Sequence, residues 1–291
     1  MTQTVALRHQ RIAIVGLGLM GGSLAMALRG QVAGLYAADP DPRTRALARE
    51  WGLVDVMAAR PEEVLPHADV VVLAAPVQAI LELVPRLPHW MPRPAVVLDL
   101  GSTKRAVCRA FAQLPPRFDP IGGHPITGKA RAGLVHADPG LYRGAAFVFT
   151  PLPRTTARAR AVAEALAQAV GAYPVWSTPE EHDRGLAFTS HLPYLLGVAL
   201  ARSVPPEVRG FVGPGFRSTS RLAASSPRMM RDIMATNLEA VLAALERLED
   251  EITALRRLLQ QGGPADWEAF FAAAAAYRRY LLGEEDAGPG E

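Results

Sequence analysis

Apolar and polar positions change their period near residue 178. Before it, short apolar runs alternate with amphipathic stretches; after it, only helical spacing is found. Residues 11–15 read as a short β-branched strand and 34–38 as a second strand. Residues 69–75 (DVVVLAA) and 95–100 (AVVLDL) are apolar almost throughout, the pattern of parallel strands covered on both faces. Helical stretches fall between them: one through Ser23, Leu24 and Leu28, one over 41–51, one after Pro76-Val77 and one over 103–113. A strand over 145–150, a helix over 155–170 and a strand over 172–176 complete this half. Such alternation predicts a doubly wound, mostly parallel sheet.

Thr178-Pro179-Glu180-Glu181 then forms a helix start, with an N-cap threonine, proline in first position and glutamate in third. The boundary is placed here, giving an α/β domain over 1–178 and an all-helical domain over 179–283. The first helix carries Ser190-His191-Leu192-Pro193-Tyr194, where proline is expected to bend it. A glycine-rich stretch, 210–220, precedes Arg221, and Ser226-Pro227 opens a long helix. Along it Met234, Leu238, Val241, Leu245, Leu248, Ile252, Leu255 and Leu259 alternate spacings of four and three. That seam asks for a partner helix. Gly262-Gly263-Pro264 leaves one further helix, about 265–282, so a homodimer through the helical domain is expected, which makes it a dimerisation domain. Residues 284–291 read as a disordered acidic tail.

The first strand runs into Gly16-Leu17-Gly18-Leu19-Met20-Gly21 and a helix, and the second ends at Asp39, about 20 residues on. Alone, G-x-G-x-x-G is weak. With a strand before it, a helix after it and an acidic residue at that spacing, it predicts a Rossmann-like dinucleotide site. Gly16 allows the tight turn, Gly18 lets a diphosphate approach the backbone, and Gly21 allows close helix packing. The helix N-terminus offers N–H groups to the phosphates. Asp39 suits the ribose hydroxyls and favours NAD over NADP. Pro76, Ser102–Lys104 and His124 are each expected to follow strand ends and so to meet in one crevice.

His124 stands out in Ile-Gly-Gly-His-Pro-Ile-Thr-Gly-Lys (121–129). Glycines before it and proline after it restrict where the imidazole goes, the mark of a placed side chain. The chain has only two lysines, Lys104 and Lys129, both in glycine-bearing motifs, and both are expected to face a ligand. Ser102 reads either as the N-cap of helix 103–113 or as a partner for His124.

Composition narrows the class. A hydrophobic share of 49% with 20% charged residues describes a globular protein. A net charge of +3 with scattered arginines gives no nucleic-acid footprint. One cysteine, Cys108, fits a reducing compartment, and the seven histidines show no metal-ligand spacing, so no metal is expected. Arg8 and Arg11 precede an apolar run as in a signal peptide, but four glycines interrupt it and no cleavage site closes it. Without a membrane-length apolar span, cytoplasmic is the expectation.

Taken together, GLGLMGGSLA (16–25), DLGSTK (99–104), GGHPITGK (122–129), EHDR with SHLP (181–193) and GFRSTSRLAASSPRMMRDI (215–233) resemble the prephenate/arogenate dehydrogenase family of tyrosine biosynthesis. The resemblance covers almost the whole chain. It implies oxidation of a cyclohexadienol with loss of its ring carboxylate. Prephenate is the expected substrate, arogenate the alternative. His124 would take the proton of the ring C4 hydroxyl. Ser102 would orient His124 and the nicotinamide, Arg221 would bind substrate carboxylate, and His191 would contact the substrate. Tyr194, Ser218, Ser226 and Thr127 depart from the family's pattern. The chain starts at the cofactor strand and stops soon after the last helix, so no fused mutase or regulatory domain is expected.

Two other readings share the fold. β-Hydroxyacid dehydrogenases pair a similar cofactor domain with a helical one, but use a catalytic lysine near the junction, and no lysine follows Lys129. An NAD-sensing dimer without catalysis would share the fold, yet would not need His124, Ser102, His191 and Arg221 together.

Overall fold

The computed structural model describes residues 7–129 and 131–284. The acidic tail expected over 284–291 lies outside them, apart from Glu284. Two compact units divide the chain, one reaching Val241 and one starting at Leu242.

The first unit is built on an eight-stranded sheet of order β3-β2-β1-β4-β5-β6-β7-β8. Its strands are β1 (Arg11–Val15), β2 (Gly34–Ala38), β3 (Val56–Ala58), β4 (Val70–Leu73), β5 (Ala95–Asp99), β6 (Phe118–Pro125), β7 (Ala146–Pro151) and β8 (Tyr173–Trp176). All neighbours pair parallel except β6 and β7. Residues of the central strands alternate between two cores. Ile12, Ile14, Val70, Val72, Val96 and Leu98 face one way, while Ala13, Val15, Val71, Leu73 and Val97 face the other. On the first face lie α1 (Leu19–Leu28) and α6 (Ala157–Ala169). The second is covered by α3 (Val77–Leu83) and α5 (Arg105–Ala112), with the shorter α4 (Leu87–Trp90) after α3. Helix α2 (Pro42–Glu50) starts with the Asp41 carboxylate accepting from Arg43 N–H at 3.0 Å.

Register fixes where the loops emerge. Val15 pairs with Leu73, Leu73 with Asp99, and Leu98 with Ile121. The turns after β1, β4 and β5 and the end of β6 therefore share one edge, where the order reverses between β1 and β4.

After β8 the chain is helical. Helix α7 (Pro179–Leu186) begins with the expected capping box: Thr178 Oγ1 accepts from Glu181 N–H, and Glu181 accepts from Thr178 N–H. Pro193 was expected to kink this helix. Directly before it Ala187–His191 form a wider π turn, with Leu192 N–H reaching the Ala187 carbonyl oxygen, and the helix runs on as α8 (Leu192–Ser203) with Pro193 in its first turn. A short α9 (Pro214–Thr219) and a 3-10 turn (Arg221–Ala224) lead to α10 (Pro227–Gln261), broken by non-helical geometry at Asn237. Last comes α11 (Pro264–Leu281). Of the expected seam, Leu238, Ile252 and Leu259 are half exposed, as are Phe271 and Leu281 on α11.

The β1–α1 turn tolerates no larger residue at Gly21. A Cβ there would lie 1.9 Å from the carbonyl oxygen of Gly16, itself at φ +96°. Gly21→Ala should therefore cost about 1–3 kcal/mol through overpacking against rigid backbone. The drop in the urea midpoint at unchanged slope would measure it.

Candidate active site

His124 was expected in a loop beyond a strand. It is in fact the seventh of the eight residues of β6, whose glycines and prolines hid the strand. Its neighbour Gly123 lies so close to β5 that an added Cβ would sit 2.7 Å from the Asp99 carbonyl oxygen. Asp99 ends β5 fully buried. Its carboxylate accepts from Gly101 N–H at 2.8 Å and Gly123 N–H at 3.1 Å, and pairs with the ammonium of Lys104. Lys104 also donates to Gly123 carbonyl oxygen at 2.8 Å. Lys104 is thus wholly buried and structural, contrary to its expected place against a ligand. It staples the backbone beside His124 to the end of β5. Lys129 is part exposed and pairs with Asp138 at 2.8 Å.

A second buried carboxylate organises the other side. Asp183 on α7 accepts from the backbone N–H of Lys104 at 2.7 Å and of Arg105 at 2.9 Å, capping α5 from a different helix. Ser102 is not that cap, because α5 starts at Arg105 with no side-chain bond from its own N-cap residue. Asp183 also meets His182 Nδ1 at 2.8 Å, and His182 Nε2 meets His124 Nδ1 at 2.9 Å. His124 therefore has His182 as its hydrogen-bond partner, and among the described residues no hydrogen bond joins it to Ser102, the partner expected from the sequence. Asn237, at the break in α10, donates to the Asp183 carbonyl oxygen at 2.7 Å and lies 3.3 Å from His191 Nδ1. Thr103 Oγ1 meets Thr236 Oγ1 at 2.8 Å.

All three histidines are held neutral. Burial pulls the His124 pKa well below 6.5, and the neighbouring His182, Lys104 and His191 push the same way. Burial likewise lowers His182, against the opposing pull of its bond to Asp183. His191 is lowered to about 4, chiefly by burial. A neutral imidazole keeps one bare nitrogen, so His124 is equipped to accept a proton near neutral pH.

The glycine turn lies on the same sheet edge. Gly18 precedes α1 without capping its first N–H groups, and a Cβ on Gly18 would meet nothing within 4 Å. Leu19 and Met20 form the first turn of α1, and Met20 carbonyl oxygen is held by Tyr142 hydroxyl at 2.7 Å. Asp39, just past β2, accepts from Leu17 N–H at 2.8 Å, which sets its carboxylate beside the turn. Open space at Gly18, a helix start with no side-chain cap and a placed carboxylate fit a dinucleotide. Pro76 directly precedes α3 on the same edge. Arg221 is exposed and opens the turn packed on α8, and no hydrogen bond joins it to His124 among the described residues. Sequence reasoning gave no role to His182, Asp183, Asp99 or Asn237. The signals for the first two were a His-Asp pair just inside a strongly capped helix and its place in the EHDR motif of the resemblance.

A Rossmann-like glycine turn beside a neutral, oriented imidazole defines a dinucleotide-dependent oxidoreductase. Residues 24–175 match the prephenate dehydrogenase nucleotide-binding domain family and residues 178–274 the prephenate dehydrogenase dimerization domain family. The chain is 30% identical to prephenate dehydrogenase of Bacillus subtilis over 92% of its length and 75% of that protein. It superposes on the crystal structure of Aquifex aeolicus prephenate dehydrogenase with hydroxyphenyl propionate and NAD+ at a TM-score of 0.85, with 30% identity, covering 94% of this chain and 98% of that one. The Synechocystis arogenate dehydrogenase structure matches at 0.78 and 29% identity, covering 93% and 99%. The chain belongs to the prephenate dehydrogenase family.

Two outcomes follow from the buried charges. Lys104→Met leaves Asp99 uncompensated and should cost about 3–5 kcal/mol, which the Asp99→Asn, Lys104→Met double variant should partly restore in chemical denaturation. The histidines act through acid. Their folded pKa values lie below the ordinary 6.5, so the unfolded chain binds protons first. The stability they contribute is present above 6.5 and lost as pH falls, for His191 down to about 4. Denaturation midpoints should drop between pH 7 and 5, and less steeply in His191→Gln.

Proposed function

We propose that this chain catalyses the NAD-dependent oxidative decarboxylation of prephenate to 4-hydroxyphenylpyruvate in tyrosine biosynthesis. The observation that carries this reading is the neutral His124 imidazole, oriented by His182 on the sheet edge that also bears the glycine turn. Gly16, Gly18 and Gly21, with the first N–H groups of α1 at Leu19 and Met20, would hold the diphosphate, and Asp39 the adenosine ribose. A carboxylate in that place disfavours a 2′-phosphate, so NAD is preferred over NADP. Pro76 and Ser102 would border the nicotinamide. NAD, when bound, accepts the hydride that leaves ring C4.

His124 takes the C4 hydroxyl proton, which lets the carbon–oxygen double bond form as the hydride departs. Arg221 offers a guanidinium for substrate carboxylate, and its flat fork suits two parallel hydrogen bonds. His191 contacts the substrate from the π turn. Loss of the ring carboxylate as carbon dioxide makes the ring aromatic and the reaction effectively irreversible.

Arogenate is the second reading, favoured by likeness to the Synechocystis arogenate dehydrogenase structure and by 29% identity to cyclohexadienyl dehydrogenase of Zymomonas mobilis. The two substrates differ only at the side-chain α-carbon, keto against amino. A second copy of the chain is the proposed partner, meeting the half-exposed apolar residues of α10 and α11. Among the described residues no helix is long and apolar enough to cross a membrane, and we assign the protein to the cytoplasm.

The test follows reduced-cofactor absorbance with prephenate or arogenate, and with NAD or NADP. Turnover of prephenate with NAD is expected, with kcat falling roughly 100- to 10,000-fold in His124→Ala. Turnover of arogenate alone would reassign the substrate. No turnover with any pairing, from protein that binds NAD, would overturn the reading in favour of a sensor.

A further inference from the structure

We propose that His182 and Asp183 are positioning residues forming a closed relay behind His124, which fixes the imidazole as the tautomer with hydrogen on Nδ1 and bare Nε2. The inference rests on the reaction proposed above for its chemical purpose, but its geometry stands independently.

The Asp183 carboxylate is fully buried and accepts from two backbone N–H groups, which can only donate. A carboxylate has only acceptors to offer, so its third contact, at 2.8 Å, makes His182 Nδ1 a donor. His182 is neutral, so its single ring hydrogen is spent there and Nε2 carries a lone pair. That lone pair faces His124 Nδ1 at 2.9 Å, which must therefore donate. His124, also neutral, is left with a bare Nε2. Each step removes one of two tautomers, and a single arrangement survives.

The arrangement suits an unusual demand of the chemistry. One hydroxyl proton is lost as hydride leaves C4. When the carboxylate departs, the electrons of its bond enter the ring, and the C4 oxygen becomes a phenolate that needs a proton back. Prephenate and oxidised cofactor thus give hydroxyphenylpyruvate, carbon dioxide and reduced cofactor with no net proton released. The base must hold the proton briefly and return it to the same oxygen. A chain ending at a buried carboxylate does this: the imidazolium formed on His124 is steadied through His182 by Asp183. The other charged and titratable groups facing His124 are Lys104 and His191. The charge of Lys104 is already matched by Asp99, so Asp183 is the carboxylate that serves the relay.

Nitrogen-15 NMR of histidine side chains in the NAD-loaded wild type reads the tautomers without any substrate. His124 and His182, assigned through His124→Gln and His182→Gln, should both carry hydrogen on Nδ1 at pH 7.5. Hydrogen on His124 Nε2 would overturn the proposal. Kinetics supply the second readout. Asp183→Asn can reverse the bond to His182, and, by the same tautomer error that cripples other His-Asp pairs, kcat should fall roughly 10- to 1,000-fold with KM unchanged. Its acid limb should also move to lower pH, since the imidazolium has lost its counter-charge. A variant that folds, binds NAD and keeps wild-type kcat and pH profile would overturn the relay. If the wild type turns over neither substrate, the reaction fails, while the NMR result still decides the relay.

Discussion

A carboxylate removed from water needs donors, and Asp183 finds them at the start of a helix belonging to another layer of the fold. Two backbone N–H groups at the start of α5 have no partner within their own helix, and Asp183 of α7 supplies acceptors for both. The bond does two jobs with one side chain. It docks the first helical segment after residue 178 against the β5–α5 turn, and it leaves an oxygen aimed at His182. Breaking it would strand two donors, one of them fully buried, as well as a ring, so the catalytic geometry and the docking of α7 stand or fall together.

Around that anchor the electrostatics are arranged by exclusion. Burial denies charge to His124, His182 and His191, and the one buried cation near them, Lys104, is matched by Asp99. A weakly basic imidazole with a counter-charge one ring behind it is poor at holding a proton from water, yet able to borrow one from a hydroxyl placed against it. The same burial that tunes the base makes the folded state sensitive to acid, so function and stability draw on one set of interactions.

Much of this was legible in the sequence where burial is uniform. Strands β1 and β2 matched residue for residue, and the Thr178 capping box was plain from four letters. Strand β3 escaped because a three-residue edge strand leaves no period to count. Strand β6 escaped because Gly122, Gly123 and two prolines erase β-propensity, although close approach to β5 is what demands glycine. Lys104 was misjudged because scarcity marks a lysine as chosen without saying whether ligand or core did the choosing. The bond between His124 and His182 spans 58 residues of chain, and no local pattern links its ends. It becomes visible only when sheet register brings β6 beside α7.

The π turn at Ala187–His191 has a consequence for how such chains diverge. A π turn holds one residue more than the α-helical turn it interrupts, and each residue advances a helix by about 100°. Two homologues that differ by a single inserted residue here would keep the same helix axis and need no new loop. Everything downstream, starting with Tyr194, would keep its face, whereas the same insertion in an unbroken α-helix would rotate it by about 100°. In this region a one-letter gap in an alignment therefore marks a change confined to the turn, with the caps and strands upstream and the faces of α8 downstream left in place.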